Sequence, residues 1–405
     1  MARPCVGLAH AVIGEAPDRY TEAGLAAVTG LVARAVAACC DLPGLVGGKS
    51  VFLKPNLVRP NPASPRSVVT DERVILAMVR LLVRAGARSV AVGDNPGWGL
   101  SLLEATAGLS GFVQRLTAEG ATLVAFDAEP PVPVPNPGAF LFDPVPLPRA
   151  VLEAEVYINL PKMKTHVHTL VTLGIKNQYG LILDDERMPF HRNDINLKIV
   201  DILRAIRPRL TVVDGLWAVQ GQAPLSGSSL PDMNVVVAGT DVCAVDTVCA
   251  DLMGIAADEV AMLRLARQEG LGETDLAAID VAGDDPARCR RRFIRPVLSS
   301  MGAYPAVRVI EGGACQGCQS ALRHALDKLA SEDAFAAGTP HTVYLGVPMP
   351  QAVNLRNVPG QLWCFGACAA PLAFDVRRPG NVARFVAGCP PHILDFYKAY
   401  KAATR

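Results

Sequence analysis

The stretch ERVILAMVRLLVRAGARSVAVGDNPG, residues 72–97, contains the pattern from which the fold can be predicted. Residues 72–85 place apolar side chains at helical spacing and are followed by Gly86, a typical helix stop. Ser89–Val92 is a short apolar run that leads into a loop rich in Gly, Asp, Asn and Pro. A helix followed by a buried strand and a turn is the repeating unit of parallel α/β sheets.

The same alternation continues on both sides of this stretch. Further helices are predicted near 21–40, 101–118, 196–206, 241–253 and 257–268, and further strands near 51–53, 122–126, 156–160, 210–214, 234–238 and 278–281. Short apolar strands between helices are typical of a mostly parallel sheet. We therefore predict a Rossmann-like α/β domain over residues 1–300, which could comprise two lobes, and a small α/β domain over 301–405.

The composition limits the classes of protein that the chain can represent. Half of the 405 residues are hydrophobic, and the net charge of +1 comes without a basic block, which argues against nucleic-acid binding. No apolar run reaches eighteen residues and the N-terminus does not look like a secretory signal, so we expect a cytoplasmic protein without a membrane span. In that reducing compartment the 11 cysteines are expected to be thiols or metal ligands.

Four cysteines near the end of the chain occupy glycine-rich loops after predicted strands. Cys315 and Cys318 form a C-x-x-C turn at the start of a predicted helix, while Cys368 lies two residues after Gly366 and Cys389 directly follows Gly388. Loops after parallel strands meet at one edge of a sheet, so these thiols can converge. Four thiolates are the usual ligands of a [4Fe–4S] cluster. We therefore predict that Cys315, Cys318, Cys368 and Cys389 hold such a cluster.

The sequence also allows other interpretations of these cysteines. A C-x-x-C turn is also found in zinc sites and in redox dithiols, although zinc sites usually have two closely spaced pairs. Cys364 competes with Cys368 as the third ligand. Cys364 lies within a predicted apolar strand, however, and burial in the core is the expected place for it.

A dense polar segment follows the strand predicted at 156–160. Lysines bind carboxylates and phosphates, histidines move protons near neutral pH, and asparagine can orient an oxygen. We therefore expect these loops to bind a small molecule, with catalytic candidates His166, Lys164, Lys176, Asn177 and His191. The substrate-binding candidates are Lys54, Asn56, Lys162, Thr165 and Thr172.

Two resemblances accompany these motifs. The C-terminal segment resembles the proximal-cluster domain of [NiFe]-hydrogenase small subunits and the related complex I subunit, through Cys315-x-Gly-Cys318, Gly366-x-Cys368-Ala369 and Gly388-Cys389-Pro390-Pro391. Residues 45–255 resemble the family known as domain of unknown function 362, through Lys54-Pro55-Asn56, Thr70-Asp71, Asp214-Gly215, Gly239-Thr240-Asp241 and Asp246. The second resemblance implies an α/β fold that is often joined to an iron–sulfur module, and it names no reaction.

The function expected from these features is an iron–sulfur oxidoreductase of the reductase type. Its [4Fe–4S] cluster would pass electrons from a ferredoxin or another donor to a small anionic substrate bound by the Lys/His/Asn residues. One alternative is a non-redox lyase or dehydratase, in which an iron with an open position acts as a Lewis acid. Another is an electron carrier or assembly factor without catalysis. The substrate, the donor, a flavin and the oligomeric state are not specified by the sequence.

Overall fold

The computed structural model describes residues 3–13, 20–58, 68–97, 101–107, 109, 111–183, 195–224, 226–297, 304, 306–335, 340–348, 355, 358, 360–374 and 383–404. These residues form two compact units. Unit 1 contains the described residues up to 183 and from 196 to 296. Unit 2 contains those from 297 onward, together with Ile195.

The strands of unit 1 are short and mostly buried. In chain order they are β1 (Cys5–His10), β2 (Ser50–Pro55), β3 (Ser89–Val92), β4 (Ala121–Leu123), β5 (Val132–Val134), β6 (Val145–Leu147), β7 (Val156–Leu160), β8 (Lys162–His166), β9 (Leu170–Thr172), β10 (Leu210–Gln222), β11 (Ser226–Leu230), β12 (Val235–Gly239) and β13 (Asp280–Gly283). Strands β5 and β6 pair with each other, and the rest share one sheet.

The large sheet is mostly parallel. Its main path runs β13-β1-β12-β10-β7-β2-β3-β4. The stretch from β10 to β4 is parallel throughout, whereas β12 runs antiparallel to both β1 and β10. Strand β8 pairs in parallel with β10, and it forms an antiparallel hairpin with β9. The predicted α/β class with a mostly parallel sheet is confirmed.

Helices pack on this sheet and bury its apolar side chains. They are α1 (Glu22–Ala37), α2 (Leu42–Val46), α3 (Glu72–Arg84), α4 (Leu102–Ala107), α5 (Phe112–Ala118), α6 (Arg149–Leu152), α7 (Gly174–Asn177), α8 (Ile195–Ala205), α9 (Val242–Leu252), α10 (Ala261–Gln268) and α11 (Pro286–Cys289). Several of these helices have a side-chain cap at the N-terminus. The Asp71 carboxylate accepts from the Arg73 amide at the start of α3, and the Asp241 carboxylate accepts from Cys243 at the start of α9.

Two predictions about unit 1 were wrong. The helix predicted at 101–118 is two helices, α4 and α5, and Gly111 between them has φ +72°, which is incompatible with a continuous right-handed helix. The segment after β7 was predicted as a loop. It contains strands β8 and β9, so Lys162, Lys164, Thr165 and His166 lie in a strand.

Unit 2 is a four-stranded parallel sheet with helices. The strands are β14 (Val307–Glu311), β15 (His341–Leu345), β16 (Gln361–Phe365) and β17 (Arg384–Val386), in that order across the sheet. The helices are α12 (Gln316–Ala330), α13 (Ala370–Ala373) and α14 (Ile393–Ala403). Trp363 and Phe365 of β16 pack edge-on against Phe396 of α14, which fixes α14 on the sheet.

None of the helices in the described segments has the length and apolar character needed to cross a lipid bilayer.

Candidate functional site

The carboxyl ends of the central strands of unit 1 carry buried, paired charges. Lys54, at the end of β2, is fully buried, and its Nζ donates to Asp94 Oδ1 at 2.6 Å and to the Pro55 carbonyl at 3.1 Å. The other Asp94 oxygen accepts from the Leu57 amide at 2.6 Å. A buried ammonium held by a carboxylate and a carbonyl is compensated in both charge and hydrogen bonding.

Lys162 is compensated in the same way. Its side chain is fully buried, and its Nζ donates to Asp214 Oδ2 at 2.7 Å. The Asp214 carboxylate also accepts from the amides of Asp71 at 2.7 Å and Leu216 at 2.9 Å. Three donors around one carboxylate satisfy its hydrogen bonding inside the protein.

Lys164 lies two residues further along β8, and no described carboxylate forms a salt bridge with it. Its Nζ donates to Asn56 Oδ1 at 2.8 Å and to the Val68 carbonyl at 2.9 Å, and only 1% of the residue is exposed. Burial lowers the pKa of Lys164 well below its usual value, and the charges of Lys176 and Lys162 lower it further. Among the three buried lysines of this edge, Lys164 is therefore the one that is not paired with a carboxylate within the described part of the chain.

A chain of side-chain amides connects Lys164 to the turn that carries Lys176. Asn56 Nδ2 donates to Asn177 Oδ1 at 2.8 Å, and Asn177 Nδ2 donates to Asn159 Oδ1 at 2.8 Å. Asn159 Nδ2 then donates to the Gly174 carbonyl at 2.8 Å. Every donor in this amide chain points away from Lys164, so the bonds polarise one another in the direction that favours a positive amine.

The turn is held from its other side by Asp246 of α9. The Asp246 carboxylate accepts from the Gly174 amide at 2.6 Å and the Ile175 amide at 2.8 Å. Burial raises the pKa of Asp246 to about 7, against the opposing effect of these two backbone donors. Asp246 thus fixes the start of α7, on which Lys176 and Asn177 lie.

The other predicted residues of this segment occupy different environments. Lys176 is half-buried, with its Nζ 5.0 Å from the centre of the Tyr179 ring. The buried Thr172 faces Lys164 across the β8–β9 hairpin, and its hydroxyl makes no hydrogen bond within the described part of the chain. The Thr165 hydroxyl donates to the Gly221 carbonyl at 2.8 Å, and His166 Nδ1 accepts from the His168 amide at 3.1 Å.

His191, the remaining predicted catalytic residue, lies outside the residues that the structure describes. The structure therefore brings together Lys54, Asn56, Lys162, Lys164, Thr172, Lys176 and Asn177 at one edge of unit 1.

Sequence reasoning missed Asn159 and did not single out Asp94 as the partner of a lysine. A signal was present for Asn159, since it is the only polar side chain in the apolar run Val-Tyr-Ile-Asn-Leu apart from the tyrosine hydroxyl. A polar group in a buried strand must find a partner, and Asn159 finds two. For Asp94, its place after a predicted strand is the one signal that can be read from the sequence.

In unit 2 the four predicted cysteines lie at the carboxyl edge of the parallel sheet. Cys315 and Cys318 follow β14 at the start of α12, Cys368 follows β16, and Cys389 follows β17. Cys318 is buried, and the other three residues are exposed. The order of the loops is the one predicted from the sequence.

The thiols of these cysteines influence one another. The pKa of Cys318 is raised to about 12 by burial, by Cys315 through both electrostatics and a hydrogen bond, and by the nearby Cys389 and Cys368. Burial raises the pKa of the Cys389 thiol as well, with contributions from Cys368 and Cys315. Electrostatic coupling among all four thiols means that they share one small region of unit 2.

Glycines permit this convergence. Gly366, with φ +92°, lies so close to Cys318 that an added Cβ would be 2.9 Å from its Sγ. Gly317, inside the C-x-x-C turn, packs on Pro390, with 3.4 Å between an added Cβ and the proline ring. The glycines beside the cysteines therefore leave room for close approach of the loops.

Cys364 occupies a different environment. It is fully buried in β16, in an apolar cluster that includes Ile310, Tyr344 and Leu362. Within the described segments, no group of three or more His, Cys, Asp or Glu side chains is arranged to hold a metal ion.

Comparison with known proteins identifies the larger part of unit 1. Residues 51–251 match the family described as "Domain of unknown function (DUF362)". The chain is 29% identical over 242 residues to "Thylakoid-associated protein sll1697" of Synechocystis sp. (strain ATCC 27184 / PCC 6803 / Kazusa), an alignment that covers 57% of this chain and 70% of the relative.

Two solved structures are similar at a lower level. The lactate racemase apoprotein from Thermoanaerobacterium thermosaccharolyticum is 12% identical with a TM-score of 0.41, over 79% of this chain and 67% of the other. A protein from Thermotoga maritima is 15% identical with a TM-score of 0.33, over 62% and 60%. Because both TM-scores are below 0.5, the comparison rests on the sequence, in which residues 51–251 match the DUF362 family.

Proposed function

We propose that the protein is an iron–sulfur redox protein of the reductase type, with a [4Fe–4S] cluster held by Cys315, Cys318, Cys368 and Cys389. The observation that supports this most is the mutual electrostatic influence of the four thiols at one edge of the unit 2 sheet. Four neighbouring thiols can all ionise only if a positively charged group lies among them, and a cluster of iron atoms supplies that charge.

The residues fit a cubane better than a single ion. In a cubane each cysteine binds a different iron atom, so the sulfur atoms surround the cluster and do not have to meet at one point. Three separate loops, each following its own strand, suit that requirement. The start of α12 directly after Cys315 adds backbone N–H groups that favour negative charge on the thiolates and sulfides.

When bound, the cluster would supply one-electron transfer. The residues of unit 1 would bind a small anionic substrate that receives the electrons, and a ferredoxin or similar protein would deliver them. In this proposal Lys164 and Lys176 attract the anion, while His166 is the proton donor within the described residues. The paired charges of Lys54 and Lys162 and the amide chain with Asn56 and Asn177 hold that edge in shape.

Electron paramagnetic resonance of anaerobically prepared protein tests the proposal. We expect a cubane signal that develops on reduction with dithionite and that is lost in Cys368→Ala. Zinc in place of iron in anaerobic preparations would refute the cluster. A signal perturbed by Lys176→Met or His166→Gln would support a redox role for the unit 1 residues, whereas a cluster that dithionite cannot reduce would favour the lyase alternative.

A further inference from the structure

Unit 1 contains a buried amine that has no carboxylate partner among the described residues. Lys54 and Lys162 each hold a carboxylate within 2.7 Å, whereas the described hydrogen bonds of Lys164 go to the neutral oxygens of Asn56 and Val68. Placing an ammonium in a protein interior without an opposite charge is costly. The contrast among three lysines on the same edge points to a ligand that pairs with the third.

The hydrogen bonds of Lys164 lead to the same inference. A neutral amine has two N–H groups, and the two bonds to Asn56 and Val68 use both of them. Protonation adds a third N–H, which has no acceptor among the described residues. An acceptor from outside the protein would complete the ammonium form.

A second buried donor faces the same position. Thr172 is 3% exposed and is the direct cross-strand neighbour of Lys164 in the β8–β9 hairpin, so the two side chains lie on one face. The Thr172 hydroxyl makes no hydrogen bond with a described residue. A buried hydroxyl without a partner is costly, and a ligand next to Lys164 would supply the missing partner of Thr172.

The excess of positive charge around Lys164 favours the binding of an anion. The four lysines that influence one another here, Lys54, Lys162, Lys164 and Lys176, face two carboxylates, those of Asp94 and Asp214. With all four lysines protonated, these six side chains carry a net charge of +2. Lys176 is partly exposed, so solvent reaches this group of lysines at Lys176.

We propose that Lys164, Thr172 and Lys176 form a binding site for the oxyanion group of a small molecule, a carboxylate or a tetrahedral oxyanion of the phosphate type. The proposal deepens the proposed function, because it identifies where the anionic substrate is held. One oxygen accepts from the Lys164 ammonium and a second from the Thr172 hydroxyl, while Lys176 contributes charge. Binding is accompanied by uptake of one proton by Lys164.

Isothermal titration calorimetry with acetate and with sulfate tests this site, since neither probe changes charge between pH 6 and 9. We expect saturable binding of at least one probe, and affinity that falls as the pH rises. The groups that face Lys164 are Lys54, Lys162, Lys176 and Asp94. Titrations in two buffers of different ionisation enthalpy should show the proton uptake.

The probe that binds identifies the substrate class. Binding of acetate alone would indicate a carboxylate substrate, and binding of sulfate alone would indicate a phosphate-type substrate. Binding of both would indicate an oxyanion site that does not discriminate between them.

Two matched variants make the test specific. Thr172→Val removes the hydroxyl with little change of shape and should weaken binding about three- to tenfold. Thr247→Val makes the same change at another buried threonine whose hydroxyl has no described partner, on α9, and should leave affinity unchanged. Lys164→Met should reduce affinity by about tenfold or more.

The proposal is overturned if neither probe binds, if Thr172→Val binds like the wild type, or if affinity does not depend on pH. Iron content measured on the same samples keeps the two proposals apart. Iron-loaded protein without anion binding would refute this site alone, and anion binding by protein that contains zinc would refute the cluster alone.

Discussion

At the scale of single residues, unit 1 distinguishes lysines that are alike in the sequence. Lys162 and Lys164 are two residues apart in one polar segment, and both were predicted to contact substrate. Their environments differ, because Lys162 has Asp214 and Lys164 has an amide and a carbonyl. The local sequence pattern does not reveal this difference, because the partners Asp214 and Asn56 lie 52 and 108 residues away along the chain.

The different partners predict different costs of substitution. Lys162→Met leaves the Asp214 carboxylate buried without its counterion and should lower the free energy of unfolding by about 3–5 kcal/mol. Lys164→Met strands no charge and should cost less. Urea denaturation measures both values, and Lys162→Met combined with Asp214→Asn should recover part of the loss. Equal losses for the two single variants would contradict this interpretation of the pairs.

The stability of unit 1 should depend on the protonation of Asp246. Its pKa is raised from the ordinary 3.8 to about 7 in the folded protein, so the folded state holds a proton that the unfolded state releases. Stability from this group is therefore present below pH 4 and is lost as the pH rises toward 7, with a slope of at most about 1.4 kcal/mol per pH unit. Asp246→Asn should flatten that slope in urea denaturation between pH 4.5 and 7.5. An unchanged slope would show that other groups cause the dependence.

At the scale of helices and strands, most elements could be predicted from the sequence. Strands β3 and β7 have the predicted bounds, and α3 ends within one residue of its prediction. These elements are apolar on the side that packs, so periodicity reveals them. Strand β8 was missed because its five buried residues, Lys-Met-Lys-Thr-His, are mostly polar and find their hydrogen-bond partners on other elements of unit 1. The pattern of apolar residues therefore does not reveal a buried strand of this kind.

The turn after β16 should be sensitive to a single methyl group. Gly366→Ala would place a Cβ 2.9 Å from the Cys318 sulfur at a backbone φ of +92°. We expect a loss of about 1–3 kcal/mol in stability and less iron per chain after anaerobic purification. Gly313→Ala is the matched control, since its nearest neighbour would be Val347 Cβ at 3.7 Å. Equal iron in both variants would argue against close approach at Gly366.

At the scale of the whole molecule, the chain divides its chemistry between two units. The paired lysines and the amide chain belong to unit 1, and the four coupled thiols belong to unit 2. The second segment of unit 2 begins at Val297, and the candidate residues before it are Lys, His and Asn whereas those after it are Cys. This change in the kind of candidate residue is what led to the prediction of a boundary near residue 300.

A redox role predicts a defined electron stoichiometry for the whole chain. Anaerobic titration with dithionite, followed by absorbance, should consume about one electron per chain, as a single cubane cluster accepts one. The Lys176→Met variant should consume the same number, because it leaves all four thiols in place. Uptake of two electrons in protein without iron would instead indicate a dithiol–disulfide couple.

The central claim, that Cys315, Cys318, Cys368 and Cys389 hold a [4Fe–4S] cluster, is tested most directly by iron and acid-labile sulfide analysis of anaerobically purified protein. Wild-type protein should contain about four of each per chain. Cys364→Ala, altered in the core strand, should retain them, and Cys368→Ala should lose most of them. Wild-type protein with zinc in place of iron, or cluster loss in Cys364→Ala with retention in Cys368→Ala, would contradict the claim.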